Sequence, residues 1–181
     1  MRPLRKSSRT VVHRNPWNTV YHVEAEFGAF CKNYWVNVFG PRAGVVAVRE
    51  GRVLLVRQYR LLIDGDSLEI PGGKVEDGEA PDEAVARECF EESRVRVRDL
   101  RPLVVYYPGL DNVENRTTLF FSEDVEDVGG FVPNPREILE RVWMPIEESL
   151  ERVFAGEITD ALTVVGLLGY GCMVRAGSGK V

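Results

Sequence analysis

Gly72-Gly73-Lys74-Val75-Glu76-Asp77-Gly78-Glu79-Ala80-Pro81-Asp82-Glu83-Ala84-Val85-Ala86-Arg87-Glu88-Cys89-Phe90-Glu91-Glu92-Ser93-Arg94-Val95 carries the strongest pattern in this chain. A short strand, Leu68-Glu69-Ile70, leads into it and is stopped by Pro71-Gly72-Gly73. Pro81 suits the first position of a helix, Asp82 and Glu83 suit its positive end, and helix formers continue to Glu92. At about 100° per residue, Glu88, Glu91 and Glu92 fall within one arc, while Val85, Ala86, Cys89 and Phe90 cover the opposite side. One face packs and the other carries three carboxylates. Like charges at such spacings repel by about 0.2–0.5 kcal/mol per exposed pair, so the face is either solvated or holds a cation. The glycine turn ahead of the helix and the lone Arg87 among the acids favour the cation. Magnesium takes oxygen ligands, with water and substrate phosphates completing its shell, and such an ion neutralises a diphosphate and polarises an attacking water.

On both sides of this segment the chain reads as strands. Thr19–Val38 is a hairpin that bends near Phe27-Gly28-Ala29. Gly44–Val48 and Arg52–Tyr59 are β-branched runs joined at Glu50-Gly51, a hairpin signal. Val95–Tyr107, broken near Asp99–Pro102, is followed by further strands at Thr117–Ser122 and Leu139–Met144. Ile146–Phe154 and Asp160–Leu168 read as helices, the second capped by Thr159.

A chain of 181 residues, 44% hydrophobic and 28% charged, can bury a core, so neither a disordered chain nor a solenoid is the first expectation. The net charge of −5 is split unevenly, with residues 1–70 basic and the remainder strongly acidic. That balance argues against nucleic-acid and membrane partners. Cys31, Cys89 and Cys172 form no Cys-x-x-Cys pair and only His13 and His22 are present, which disfavours a disulfide framework and a zinc site. No apolar run follows the basic N-terminus, and the longest apolar stretch, Leu162–Val174, is broken by glycines and too short to span a bilayer. A soluble protein in a reducing, cytoplasmic compartment is the expectation.

Gly73, Glu79, Arg87, Glu88, Glu91 and Glu92 stand at the spacing of the Nudix box, G-x5-E-x7-R-E-U-x-E-E-x-G-U, and the segment resembles it closely. It departs twice. Cys89 replaces a large aliphatic residue, and Arg94 replaces the glycine that ends the helix, where a left-handed Arg costs about 1–2 kcal/mol. Asn15-Pro16-Trp17, Val56-Arg57-Gln58-Tyr59-Arg60, Leu68–Gly73, Tyr107-Pro108-Gly109-Leu110 and Gly156–Ala161 are similar to the ADP-ribose and ADP-sugar pyrophosphatase branch of that family.

The resemblance implies an α/β fold, a Nudix-type α/β/α sandwich around a mixed sheet at residues 41–181, preceded by an N-terminal antiparallel hairpin region at residues 1–40. It implies a homodimer built through that first region, which also lines the substrate. The implied activity is metal-dependent hydrolysis of an ADP-ribose-like nucleotide sugar to AMP and a sugar phosphate, with Mg²⁺, or Mn²⁺, as cofactor. GDP-mannose, a dinucleotide or another nucleoside diphosphate is the alternative substrate. A non-catalytic nucleotide-binding module is the rival class, and the three box carboxylates speak against it.

Carried residue by residue, the resemblance makes Glu88 and Glu92 metal ligands, Glu91 a further ligand or water-orienting group, and the Gly72 carbonyl an additional ligand. Arg87 and Glu79 become the pair that holds the carboxylates in place, with a plain salt bridge as the alternative. The base is expected outside the box, in the stretch Glu123–Glu140 punctuated by Gly129-Gly130, Pro133 and Pro135. Glu137 is the first choice and Glu126 the reserve. Arg60 is expected on a substrate phosphate or in a structural salt bridge. Glu69 is expected near the metal or as an edge-strand charge. Trp17 and Trp35 are expected to stack on the base, unless they are ordinary core or interface aromatics, and Pro108 to border the substrate.

Overall fold

The computed structural model describes residues 2–134, 136 and 138–178. Along the chain come β1 (Arg5–Lys6), β2 (Thr10–Arg14), β3 (Thr19–Glu26), β4 (Cys31–Val38), β5 (Arg42–Arg49), β6 (Arg52–Arg60), β7 (Gly65–Glu69) and β8 (Gly72–Lys74). They are followed by α1 (Pro81–Ser93), β9 (Val95–Arg98), β10 (Arg101–Tyr106), β11 (Val113–Glu114), β12 (Thr117–Ser122), β13 (Asp124–Asp127), β14 (Glu140–Pro145), α2 (Ile146–Phe154) and α3 (Ala161–Ser178).

Two compact units result. The first comprises residues 1–41 and 106–116, the second residues 42–105 and 117–181. The first unit is one sheet in which β3 and β4 form the expected hairpin, Tyr21 opposite Val36 and His22 opposite Trp35. β1 and β2 add to β3, and β11 pairs parallel with β4. The segment 106–116, which local pattern attached to the later residues, thus joins the N-terminal strands through a non-local pairing.

The second unit is built on β5, buried along most of its length. Its alternate residues serve two layers. Ala43, Val45 and Ala47 pack with Ala84, Val85 and Cys89 of α1, whereas Gly44 and Val46 approach Leu162 and Gly166 of α3. β12 runs parallel to β5, β14 antiparallel to β6, and β6 is joined to β5 by a turn in which Glu50 and Gly51 both have positive φ, as a tight hairpin requires. Helices on both faces of a mixed sheet make the α/β/α sandwich.

The structure corrects three local expectations. Gly72-Gly73-Lys74 is not a turn but strand β8, paired antiparallel with Arg42–Gly44. Residues 124–127 of the stretch expected as a loop form β13, paired with β9. The last helix is capped by Asp160 rather than Thr159, since Asp160 Oδ2 accepts the Thr163 N–H at 2.9 Å and the Thr163 hydroxyl at 2.8 Å. That helix also runs on through Gly166, Gly169 and Gly171. Gly166 is a close-approach point: a Cβ there would lie 2.8 Å from Ile70 Cδ1. No helix among the described residues is long and apolar enough to cross a membrane.

Candidate active site

α1 begins as its sequence dictates. Pro81 occupies the first turn, and Glu83 reaches back to accept the Ala80 N–H at 3.0 Å. The helix ends at Arg94, which takes the left-handed conformation at φ 59°. Its buried side is Ala84, Val85, Cys89 and Ser93, so Glu88, Glu91 and Glu92 are turned together to the other side.

Arg87 organises this acidic face. Its Nε and Nη2 grip both oxygens of Glu79 at 2.9 and 3.0 Å, and Nη1 donates to Glu88 Oε1 at 2.9 Å and Glu91 Oε2 at 3.4 Å. Nη2 also reaches the Lys74 carbonyl at 3.1 Å. Glu79 is held at about 2 by Arg87, helped by the Glu76 N–H. The grip on Glu79 is two-toothed, and the same guanidinium is shared with two further carboxylates.

Glu92 is largely buried, and burial pushes its carboxyl up to about 8; Glu88 and Glu69 push further, while the Gly72 N–H, at 3.0 Å from Oε2, and Arg60 pull down. Gly73 leaves the space for Glu88, because a Cβ there would sit 2.4 Å from the Glu88 carboxylate. Glu69 is buried at the end of β7 and accepts from Arg60 Nε at 2.7 Å and Gln58 Nε2 at 3.0 Å. Among the described residues, Glu69 thus sits on a strand paired only with β6, yet as a buried rather than a solvated charge, and Arg60 is in the salt bridge that the sequence left open.

Glu88, Glu91, Glu92 and Arg60 border a cleft of about 360 Å³ that is also lined by Arg42, Gln58, Gly72, Gly73, Lys74, Phe131, Val132, Asn134 and Ile138. Arg42 and Lys74 are direct cross-strand neighbours in the β5–β8 pair. Neither was singled out from sequence, and only this pairing brings them together. Gln58 was legible in principle, two residues from Arg60 on the same strand face. The 131–134 wall carries no periodic signal.

Other expected residues fall elsewhere. Trp17, Trp35 and Pro108 belong to the first unit, whereas every residue lining the cleft belongs to the second. Trp17 is 81% exposed and Trp35, whose ring lies 4.7 Å from that of His22, is 56% exposed, so neither is a core aromatic. Glu126 sits on β13, paired with Arg98 and 4.0 Å from Arg96, its cross-strand neighbour; it does not line the cleft. Glu137 lies outside the described residues.

Oxygen donors from Glu88, Glu92 and the cleft edge suit a hard divalent cation, and a buried carboxyl raised to about 8 beside two further acids is a site short of positive charge. Among the described residues, no three His, Cys, Asp or Glu side chains gather closely enough to hold a metal ion by themselves.

Comparison with known proteins matches the NUDIX domain to residues 38–162, well over half of the chain. The chain belongs to the Nudix family. Among curated relatives of this Nudix hydrolase, a CMP-5'-(N-acetyl-N-hydroxy-3-aminopropyl)phosphonate hydrolase of Streptomyces rubellomurinus is 32% identical over 93% of the chain and 82% of its own length. The ADP-ribose pyrophosphatase of Bacillus subtilis is 26% identical over 82% of the chain and 80% of its own. The mouse ADP-sugar pyrophosphatase is 32% identical over 71% of the chain and 62% of its own. A crystal structure of an ADP compounds hydrolase superposes with a TM-score of 0.82 over 100% of the chain and 98% of that structure, at 21% identity, which shows the shared Nudix fold.

Proposed function

We propose that this Nudix hydrolase cleaves the diphosphate bond of a nucleotide sugar of the ADP-ribose kind, giving AMP and a sugar phosphate. The observation that carries the reading is the composition of the cleft: Glu88, Glu91 and Glu92 share it with Arg42, Arg60 and Lys74. Such a mixture suits a diphosphate, whose oxygens need cations, with a divalent ion between them and the carboxylates. Glu88 and Glu92 would hold Mg²⁺, or Mn²⁺, with Glu91 and the Gly72 carbonyl as further oxygen donors. When bound, the ion supplies charge neutralisation of the diphosphate and activation of water.

Each residue of the chain then has its own task. Arg87, locked by Glu79, keeps Glu88 and Glu91 in register with the cleft. Glu69 and Gln58 hold the Arg60 side against the cleft, where its guanidinium, half exposed, contacts a substrate phosphate. Glu137 remains the proposed base; Ile138, the next residue in the chain, lines the cleft. We assign the first unit to dimerisation and base stacking through Trp17 and Trp35, with Pro108 beside the substrate. Free thiols at Cys31, Cys89 and Cys172 support a cytoplasmic setting.

Turnover of ADP-ribose, ADP-glucose, GDP-mannose, NADH and a CMP-linked phosphonate, each with Mg²⁺, Mn²⁺ or a chelator, tests the reading. The last substrate is included because the Streptomyces relative matches 93% of the chain. AMP release from ADP-ribose that stops with the chelator is expected, and Glu92→Gln is expected to lower kcat at least ~10²-fold while the fold survives. Preferential turnover of another member of the panel moves the assignment to that substrate, and no turnover of any with metal present overturns it.

A further inference from the structure

Arg141 is a half-hidden cation that neither the box nor the cleft accounts for. It stands on β14, with its side chain 17% exposed. One nitrogen, Nη1, donates to two acceptors at 2.9 Å: the carbonyl of Ser93, the last residue of α1, and Oδ1 of Asp127, the last residue of β13. The guanidinium carbon lies 5.4 Å from the centre of the Phe131 ring.

These contacts meet where two walls of the cleft begin. The Ser93 carbonyl belongs to the last turn of the helix that carries Glu88, Glu91 and Glu92, where carbonyls lack helical donors and a cation is favoured. Asp127 Oδ1 also accepts the Gly129 N–H at 3.0 Å, and the Val128 N–H donates to the Arg94 carbonyl at 3.2 Å. From there the chain turns through Gly129 and Gly130, both at positive φ, into Phe131, Val132 and Asn134, which line the cleft together with the α1 carboxylates. Without a tie, two adjacent glycines would let that wall drift.

The geometry points to Arg141 as a positioning residue that fixes the distance between the carboxylate helix and the 128–134 wall. It touches no reacting atom. Its effect passes through Ser93, Asp127 and Phe131, and it rests on the proposed function only for its activity readout.

The test compares Arg141→Met, which keeps the apolar stem, with Arg141→Lys, and uses Arg152→Met as a control. Arg152 binds Glu148 at 2.8 Å and Glu157 at 3.1 Å away from the cleft-lining residues. Hydrogen exchange of the 128–134 amides, followed by mass spectrometry, is the primary measurement. Exchange at least ~10-fold faster in Arg141→Met is expected, with kcat lowered about 10-fold and a smaller change in KM. Arg152→Met is expected to lower the melting temperature while leaving exchange and kcat within about twofold. If Arg141→Met melts lower but keeps wild-type exchange and kcat, the role is structural only and the inference is overturned. If Arg141→Met fails to fold, Arg141→Lys decides: intermediate exchange supports the tie, and wild-type exchange overturns it. Should no substrate of the panel be turned over, the functional proposal falls while the exchange measurement still decides this one.

Discussion

Gly72 and Gly73 are adjacent, yet the structure gives their missing side chains different consequences. A Cβ on Gly73 would collide with the end of a flexible side chain, the Glu88 carboxylate, at 2.4 Å. Gly73→Ala is therefore expected to fold and melt near the wild type but to lose activity by ~10²-fold, because it displaces a carboxylate. A Cβ on Gly72 would meet backbone instead, Ala43 O at 2.5 Å and Gly44 Cα at 2.7 Å. Gly72→Ala is expected to cost about 1–3 kcal/mol of stability, since a strand pair must part to admit it. Thermal melts and turnover of the two variants side by side check both statements, and an equally stable, equally active Gly73→Ala would sink the first.

Glu79 supplies the pH dependence. Its carboxyl is held at about 2, first by Arg87 and then by the Glu76 N–H, against an unfolded value near 4.5. The folded state therefore releases this proton more readily than the unfolded state. The stabilisation is fully present above about 4.5 and is lost as pH falls toward 2. Melting temperatures of wild type and Glu79→Gln should differ at neutral pH and converge between pH 4.5 and 2. A gap that stays constant across that window would show the ion pair to be irrelevant.

Among elements, α1 carries one visible cost. It ends on Arg94 at φ 59°, a conformation that favours glycine, although the Arg94 guanidinium recovers something by lying 5.1 Å from the Phe90 ring. Arg94→Gly is expected to stabilise the protein by about 0.5–1.5 kcal/mol, raising Tm by about 1–6 °C, with the carboxylates untouched. A lower Tm would mean that the ring contact outweighs the strain. β8 shows the opposite relation of local signal to outcome. Two glycines in a row read as a turn, but register with Arg42–Gly44 makes them a strand, which is how Lys74 comes to lie beside Arg42.

For the molecule as a whole, the first unit exposes Val11, Val12, Trp17, Phe30, Trp35 and Phe39. That many exposed large apolar side chains in one small unit suit a self-complementary interface. Light scattering is expected to give twice the chain mass at micromolar concentration. A monomer under those conditions would refute the dimer, and the role of Trp17 and Trp35 would then need a different explanation.

The carboxylate helix was legible in the chain because helical period and end chemistry are properties of contiguous residues: Pro81, Asp82 and Glu83 start it, and Glu88, Glu91 and Glu92 recur at its spacing. The hairpins at Phe27–Ala29 and Glu50-Gly51 were legible for the same reason. The Arg87–Glu79 pair, eight residues apart in the chain, came with the box resemblance. The wall at Phe131–Asn134 and the tie from Arg141 to Ser93 were not legible: they join residues far apart in the chain, and only the tertiary fold brings them together. Glu69 marks the boundary. Its place in a strand is local, but its burial and its capture by Arg60 and Gln58 follow from the antiparallel register of β6 with β7, which no nearest-neighbour pattern contains.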